Sequence, residues 1–398
     1  MIVLLQSQTP IFKDKTRLSP HYIPPILPHR EKQITFLLEA FREVLAKPKS
    51  PMRIVQVIGP VGAGKTSSCI RFSEYMEVES QKQNTGLKIV YVNLKLHGSS
   101  RVLLYRYLVQ QAAPEAYSAS LGAEELLLQL INQLQAKKEY AILILDEIDY
   151  FLKHTKEPHT VYDLTRLDEF LRPGESSGIL GMIFTARSRE FYRELDQAEL
   201  STLGRIPVEF PVYEAQQIRQ ILLDRVNEAF QPGAVSTEIV DYIADITVGP
   251  MAGGDMRYAL DLMLFSGELA VNEGLSKITT EHVRKIVSET LPGATLDDIS
   301  NLPKQSQLTL FAVVRALKTK KTPYVKLKEV RRNYGVVCEE YHVKTSDDVE
   351  ESLQDLHDRG IVDIKSLTEI GINGVSAESL GNFLDHLLKK VRQVIDDL

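Results

Sequence analysis

Residues 59–68 read GPVGAGKTSS and follow directly on the apolar run MRIVQVI at 52–58. This order predicts a strand, a glycine-rich loop and a helix, the context in which G-x-x-x-x-G-K-[ST] binds phosphate. Glycines let backbone N–H groups converge on phosphate oxygens, and the N-terminal end of the next helix adds partial positive charge. We expect Lys65 to reach the β- and γ-phosphates and Thr66 to be a ligand of Mg²⁺. The predicted nucleotide-binding residues of the loop are Gly59, Pro60, Val61, Gly62, Ala63, Gly64, Lys65, Thr66 and Ser67.

Two adjacent carboxylates form the second half of this motif. Asp146 and Glu147 follow the apolar run AILIL at 141–145. A carboxylate at the end of a buried strand orients the Mg²⁺ shell, and a neighbouring one polarises the attacking water. We therefore predict Asp146 as a catalytic and metal-binding residue and Glu147 as the catalytic base. The alternative reading, in which both acids only solvate a strand end, leaves their pairing with the phosphate loop unexplained.

Apolar runs alternate with helical patterns over the first half of the chain. Such alternation predicts βαβ units and an α/β fold with a parallel sheet covered on both faces. After about residue 210 the strand patterns stop and a run of helices follows, with a predicted linker at 291–305 and a last segment of helices and short strands. The predicted strands are RIVQVIG at 53–59, LKIVYVNL at 87–94, YAILILDE at 140–147 and GILGMIFTA at 178–186.

Composition sets broad limits on the class of protein. The chain has 398 residues, 43% hydrophobic and 25% charged, with a net charge of −6, so any DNA binding must come from local basic patches. Cys69 and Cys338 lack metal-ligand spacing and indicate a reducing compartment. The start, MIVLLQSQTP, is too short for a signal peptide or a membrane span and is interpreted as an edge strand or disordered tail. We expect a cytoplasmic, nucleoid-associated protein without a membrane partner.

Five stretches together give the chain its resemblance to a known family. The chain resembles AAA+ ATPases, and within them the archaeal origin-recognition initiators, which are relatives of eukaryotic origin-recognition and helicase-loading subunits. The resemblance implies an AAA+ nucleotide-binding domain at 1–210 with a proline-rich lead-in at 1–30, a helical lid at 211–295, and a winged-helix DNA-binding domain at 301–398. The stretches are LPHREKQI at 27–34, GPVGAGKTSS, LILDEIDYFL at 143–152, VEFPVYEAQQIRQILLDR at 208–225 and GGDMRYALDLM at 253–263.

The resemblance also implies site residues outside the loop. Pro28, His29 and Arg30 are expected near the adenine, and Tyr213 is predicted to belong to the same site. Arg257 matches the second-sensor arginine, which the lid delivers to the γ-phosphate and which couples the lid to the nucleotide state. The alternative for Arg257 is a surface charge on a helix. The expected cofactors are ATP or ADP with Mg²⁺.

Two positions depart from the family pattern. The family usually has an asparagine, the first sensor, at the end of the fourth strand. This chain reads MIFTARS there, which leaves Thr185 or Arg187 as substitutes, neither of them an obvious one. The arginine that such ATPases supply in trans is replaced by Ala198 or Thr202, with Arg205 as a poor candidate. Both departures predict a weak ATPase in which bound ATP or ADP acts mainly as a switch.

A basic stretch at 315–334, RALKTKKTPYVKLKEVRRNY, is predicted to contact DNA. It contains one acid, Glu329, although the segment 301–398 as a whole has fifteen basic and fifteen acidic residues. Such a cluster neutralises phosphates, and Tyr324 and Tyr334 are expected to pack on sugar or to hydrogen-bond phosphate. A solvated charged face is the alternative. The predicted DNA-binding residues here are Lys318, Lys320, Lys321, Lys326, Lys328, Arg331 and Arg332.

The helix expected to enter the major groove is acidic. It lies within TSDDVEESLQDLHDRG at 345–360, where Asp347, Asp348, Glu350 and Glu351 would repel phosphates. Three explanations stay open. The basic stretch contacts the DNA instead, the recognition helix is wrongly assigned to this stretch, or this domain binds a protein and not DNA.

A further DNA contact is implied only by the resemblance. The matching region, LHGSSRVLLYRYLVQQAAPEAYSASLG at 96–122, follows the second strand. Arg101 and Arg106 are the predicted DNA-binding residues, together with Tyr105 and Tyr107. A purely structural helix is the alternative, because Leu103, Leu104 and Leu108 give it an apolar face.

These features favour a replication initiator that binds duplex origin DNA, switches with ATP or ADP, and helps recruit the replicative helicase. Related initiator subunits are expected partners, and the chain is expected to be a monomer in solution or to assemble on DNA. Two alternatives stay open: a DNA-binding regulatory paralogue that does not initiate, and a protein-remodelling AAA+ ATPase.

Overall fold

Two compact units make up the described part of the computed structural model. The structure describes residues 11–48, 50–98, 100–155, 160–172, 175–204, 207–290, 299–346, 348–366, 368–372 and 377–396. The first unit, called the sheet unit, comprises Ile23–Gln217 with Gly254–Met256. The second, called the helical unit, comprises the described residues before Ile23, Ile218–Gly253 and those from Arg257 onward. The predicted N-terminal strand or tail at 1–10 and residues 291–298 of the predicted linker lie outside the described residues.

The sheet of the first unit consists of five parallel strands in the order β2-β3-β4-β1-β5. Four of them are the predicted apolar runs, which confirms the parallel α/β sheet. The fifth strand is not predicted from the sequence, because two residues carry no periodic pattern. The strands are β1 Arg53–Ile58, β2 Leu87–Asn93, β3 Tyr140–Asp146, β4 Ile179–Ala186 and β5 Val208–Glu209.

Helices cover both faces of this sheet. In β3, Ile142 and Ile144 belong to a buried cluster with Phe41 and Phe72. The alternate residues Leu143 and Leu145 belong to a different buried cluster, on the opposite side of the strand, with Leu104. A strand that is buried on both faces reads as a continuous apolar run, which is why β3 was predictable. The helices are α1 Glu31–Ala46, α2 Lys65–Lys82, α3 Leu94–His97, α4 Arg101–Ala112, α5 Ala123–Lys137, α6 Ile148–His154, α7 Thr160–Thr165 and α8 Gln197–Thr202.

The helical unit combines a group of helices with a small winged domain. The winged domain has a three-stranded antiparallel sheet in the order β6-β8-β7 beside helices, which is the predicted winged-helix arrangement. No helix in the described ranges is long and apolar enough to cross a membrane. The elements are α9 Ala215–Ala229, α10 Thr237–Val248, α11 Met256–Asn272, α12 Thr280–Thr290, α13 Lys304–Lys320, β6 Val325–Lys326, α14 Leu327–Glu340, α15 Val349–Asp358, β7 Val362–Ser366, β8 Glu369–Ile372 and α16 Ala377–Asp396.

Polar contacts join α10 and α12 to the winged domain within the helical unit. Arg284 of α12 is 4% exposed and donates hydrogen bonds to the carbonyls of Thr322 (3.2 Å) and Pro323 (3.1 Å). Lys365 of β7 pairs with Asp245 of α10. Burial raises the pKa of the Asp245 carboxyl, which the Lys365 ammonium partly opposes. A buried guanidinium held by carbonyls indicates that these helices and the winged domain are packed as one body.

Candidate nucleotide-binding site

The phosphate loop lies at the carboxyl end of β1 and leads into α2, as predicted. Gly62 and Gly64 have φ angles of 71° and 81°, a backbone region that favours glycine. A Cβ added at Gly62 would lie 1.8 Å from Asp255 Oδ1, and one at Gly64 would lie 2.6 Å from the Tyr213 hydroxyl. The Lys65 ammonium donates to the carbonyls of Gly59 (2.5 Å) and Pro60 (2.9 Å). The loop therefore has no room for a side chain at Gly62 or at Gly64.

Asp146 lies at the carboxyl edge of the sheet, where the parallel strands end together. It is 2% exposed and accepts hydrogen bonds from the hydroxyls of Thr66 (2.8 Å) and Tyr91 (2.5 Å). The Thr185 hydroxyl donates to its other oxygen. Burial and the Asp146 charge both raise the pKa of Tyr91, so this phenol stays protonated and serves as a donor. Three donors from three elements thus fix one carboxylate beside the phosphate loop.

The predicted base, Glu147, occupies the position between β3 and α6. Its φ of 64° is in the left-handed region, which is uncommon for a residue with a side chain. Its backbone N–H donates to the Thr185 hydroxyl at 3.1 Å, which helps hold this conformation. Backbone strain of this kind clusters at functional sites. The structure therefore brings both predicted carboxylates and the loop to the same edge of the sheet.

Arg30, which the sequence places near the adenine, has a mainly positioning role in the structure. Its side chain is buried and donates to the carbonyls of Ala63, His29 and Pro211, each at 2.8 Å. Its guanidinium lies 3.7 Å from the ring centroid of Tyr213. Burial lowers the pKa of Arg30 and raises that of Tyr213. Arg30 thus connects the start of α1, the phosphate loop and the segment after β5, a role that sequence patterns did not indicate.

The two candidates for the first sensor lie in different environments. Thr185 is fully buried and has both Asp146 and the N–H of Glu147 as partners. Arg187 is about half exposed and lies 3.8 Å from Glu147 and 3.9 Å from Asp149. The two residues therefore share one neighbour, Glu147, which Thr185 contacts from the interior and Arg187 approaches from the surface.

The structure places the remaining predicted site residues in different surroundings. His29 has a φ of 65°, and its Nε2 is buried with no hydrogen-bond partner among the described residues; its place near the adenine stays a prediction. Arg257 is the second residue of α11, and its role as a sensor stays a prediction. Thr202 lies in α8 and its hydroxyl is bonded to that of Thr165. Arg205 lies outside the described residues.

Arg101 and Arg106, the predicted DNA contacts after β2, both have intramolecular partners. Arg101 pairs with Asp163 at 2.7 Å and Glu124 at 2.6 Å, and Arg106 donates to the Ala119 carbonyl at 2.9 Å. These partners favour a structural role for α4, although both contacts with DNA stay predictions. Two expectations for the apolar and aromatic residues of α4 are corrected. Leu103 is exposed and not part of a buried face, and Tyr105 is buried.

All seven predicted basic residues of the winged domain are exposed, and they lie at the end of α13, between α13 and α14, or in the first half of α14. Lys320 pairs with Glu329 at 2.8 Å, and Arg331 pairs with Glu350 of the acidic helix. Lys328 and Arg332 have no ion pair within the described residues. We refer to Lys318, Lys320, Lys321, Lys326, Lys328, Arg331 and Arg332 as the basic surface.

The two tyrosines of this stretch are not available as expected. The Tyr324 hydroxyl donates to Asp363 at 2.8 Å, and its ring packs edge-on against Tyr242. Tyr334 is 3% exposed and its hydroxyl accepts from Gln305 at 2.6 Å. Both expectations of a sugar or phosphate contact are therefore corrected, because the hydroxyls are used inside the helical unit.

The acidic helix is α15, and its apolar side packs into the winged domain through Val349, Leu353 and Leu356. Glu350 and Glu351 are exposed, and Glu350 lies beside the basic surface through its pair with Arg331. Asp347 lies outside the described residues. Acidic and basic side chains therefore share one face of this domain.

Comparison with known proteins gives matches along most of the chain. Residues 49–195 match the model of an AAA domain, residues 219–287 that of a Cdc6 AAA+ ATPase-type lid domain, and residues 297–374 that of a CDC6 C-terminal winged helix domain. An ORC1-type DNA replication protein of Thermococcus kodakarensis is 31% identical over 96% of this chain and 90% of its own length. One of Pyrococcus furiosus is 33% identical over 76% of this chain and 71% of its own length.

Solved structures show the same fold. The crystal structure of Cdc6p from Pyrobaculum aerophilum has a TM-score of 0.83 and 27% identity, and the match covers 96% of this chain and 99% of that one. The ORC1 protein of Aeropyrum pernix in complex with DNA has a TM-score of 0.60 at 24% identity, over 96% of this chain and 98% of that one. The AAA domain, lid and winged-helix domain expected from the sequence are thereby confirmed.

Proposed function

Because this chain belongs to the family of ORC1-type DNA replication proteins, we propose that it is a replication initiator that binds duplex origin DNA under the control of ATP or ADP. The observation that carries the proposal is the contact between Thr66 and Asp146 at 2.8 Å, directly beside a loop that has no room for a side chain at Gly62 or Gly64. Control of DNA binding by ATP or ADP needs a nucleotide site and a DNA-binding domain, and we assign these two roles to the phosphate loop and to the winged domain.

The residues of the site fit ATP with Mg²⁺. A hydroxyl and a carboxylate are the hard oxygen ligands that Mg²⁺ prefers, and Thr66 and Asp146 present them side by side. When bound, the ion would neutralise charge on the phosphate oxygens. Lys65 would bind the β- and γ-phosphates, and Glu147 would polarise the water that attacks the γ-phosphorus. Slow turnover is proposed, because the end of β4 reads MIFTARS and lacks the asparagine expected of the first sensor.

DNA binding is proposed for the basic surface of the winged domain. The seven side chains are exposed, and their ammonium and guanidinium groups neutralise phosphates without reading sequence. The ORC1 relative of known structure was solved with DNA, and we extend that property to this chain. Recruitment of the replicative helicase, association with related initiator subunits, and action in the cytoplasm at the nucleoid belong to the same proposal. The domain limits 1–210, 211–295 and 301–398 stay predictions.

Two binding measurements test the proposal. Calorimetric titration with ATP and ADP in the presence of Mg²⁺ should show one site per chain. Fluorescence anisotropy with duplexes from candidate origins should show tighter binding than with shuffled duplexes of the same length, at two salt concentrations. Absence of nucleotide binding would contradict the switch, and equal affinity for origin and shuffled duplexes would contradict origin recognition.

A regulatory paralogue is the second candidate, favoured by the missing first-sensor asparagine at the end of β4 and by acids on the same face as the basic surface. Chromosome-wide mapping of bound sites distinguishes the two. Binding confined to origins, with helicase loading lost on depletion, supports the initiator. Origin binding without such a loss supports the regulator.

A further inference from the structure

The guanidinium of Arg187 lies beside the carboxylate of the proposed base. Its Nη2 is 3.8 Å from Glu147 Oε1 and its Nε is 3.9 Å from Asp149 Oδ2. The two carboxylate side chains are 26% and 17% exposed, against 49% for the arginine. Charges that are partly withdrawn from water are screened less than those on an open surface. The arginine therefore exerts its field on two acids at once.

Strand pairing explains why these residues meet. β3 and β4 are parallel neighbours, with Leu145 opposite Phe184, so the residues just beyond each strand end lie at the same edge of the sheet. Thr185 then fixes the backbone of Glu147 through its N–H. Arg187 comes two residues after Thr185, and its half-exposed side chain lies beside the Glu147 carboxylate on the solvent side.

The two acids have spare acceptor capacity. Glu147 Oε2 and Asp149 Oδ1 are buried, and neither accepts a hydrogen bond within the ranges that the structure describes. A buried carboxylate oxygen without a donor is costly, and a nearby cation reduces that cost. The positive charge of Arg187 thus stabilises the carboxylates of Glu147 and Asp149, each of which has a buried oxygen without a hydrogen-bond donor in the described part of the chain.

We propose that Arg187 is a positioning residue that holds Glu147 and slows ATP hydrolysis. The inference rests on the proposed function, because it concerns turnover at the same nucleotide site. In that reaction the water oxygen bonds to the γ-phosphorus, and the bond from the γ-phosphorus to the bridging oxygen breaks. The electron pair leaves with ADP, and a proton of the water passes to Glu147. A guanidinium at this carboxylate competes with the attacking water for the carboxylate oxygens, so the water is held less often in the position from which it attacks.

Single-turnover hydrolysis by the full chain tests this role with three variants. Arg187→Gln removes the charge and Arg187→Lys keeps it. Arg189→Gln is the matched control, because Arg189 is exposed and pairs with Glu209 at 2.6 Å, away from the acids of the site. We expect Arg187→Gln to raise the rate constant about two- to fivefold, the range that an exposed to half-buried ion pair allows. Arg187→Lys and Arg189→Gln should stay near the wild-type rate.

Nucleotide affinity, measured by calorimetry on the same samples, separates the two proposals. A faster Arg187→Gln variant with unchanged ATP affinity and KM supports the inference. If the variant binds ATP normally but hydrolyses it at the wild-type rate or more slowly, the inference is wrong and the proposed function stands. If the wild-type chain binds no adenine nucleotide, the proposed function fails and the inference fails with it.

Discussion

The hydroxyl of Thr66 donates a hydrogen bond of 2.8 Å to the carboxylate of Asp146, although 80 positions separate them in the chain. One residue comes from the first turn of α2 and the other from the end of β3. Because β1 and β3 are parallel strands of one sheet, the loop after β1 and the end of β3 lie at the same edge. The contact shows that the fold holds the two predicted metal residues together. The following predictions depend on this assembly.

Lys65→Ala should weaken ATP binding about 10- to 100-fold, since it removes a charge-assisted contact to phosphate. It also removes the donor to the carbonyls of Gly59 and Pro60. Calorimetric titration with ATP and Mg²⁺ measures the change. Lys82→Ala, at the exposed opposite end of α2, is the control and should bind ATP normally. Wild-type affinity in the Lys65 variant would contradict the assignment of the loop.

Glu147→Gln should leave ATP affinity within about threefold of wild type and lower the hydrolysis rate about 100-fold or more, since loss of a general base has that magnitude. Measurement of single-turnover phosphate release gives the rate. Glu190→Gln, an exposed position after β4, is the control. A Glu147 variant that hydrolyses ATP at the wild-type rate would show that another group activates the water.

Arg30→Met should lower the free energy of unfolding by about 1–3 kcal/mol, because the carbonyls of Ala63 and Pro211 lose their donor in a buried site. It should also weaken ATP binding, since the loop loses its link to Pro211. Urea denaturation followed by circular dichroism measures the stability. Lys32→Met, exposed on the same helix, should change it by less than about 0.5 kcal/mol. Equal free energies of unfolding for the two variants would contradict the positioning role of Arg30.

Lys328→Ala with Arg332→Ala should weaken binding to every duplex and reduce the slope of log affinity against log salt by about 1 for each charge removed. Anisotropy titrations over a series of salt concentrations measure the slope. We expect a smaller loss for Lys320→Ala with Arg331→Ala, because these side chains already pair with Glu329 and Glu350. Lys389→Ala, on α16 and paired with Asp385, is the control. An unchanged salt slope in the first double variant would place the DNA contact elsewhere.

Local sequence patterns were sufficient for most of the sheet unit. Strands β1 to β4 are continuous apolar runs because both of their faces are covered, and their predicted limits differ from the observed ones by about one residue. The phosphate loop was also predictable, since the glycine positions are imposed by backbone angles and by close packing of Asp255 and Tyr213. These features depend on residues that are near one another in the chain.

Roles that depend on distant neighbours were not predictable. The sequence places Arg30 near the adenine, but only packing shows that its guanidinium holds three carbonyls. The basic stretch suggested that Tyr324 contacts DNA, whereas in the fold its hydroxyl donates a hydrogen bond to Asp363. Composition and spacing thus established the strands, the loop and the two acids of this chain. Only the tertiary structure decided which charged residues pair, such as Arg187 with Glu147. The pairing of β3 with β4 brings these two residues, forty positions apart in the chain, to one edge of the sheet.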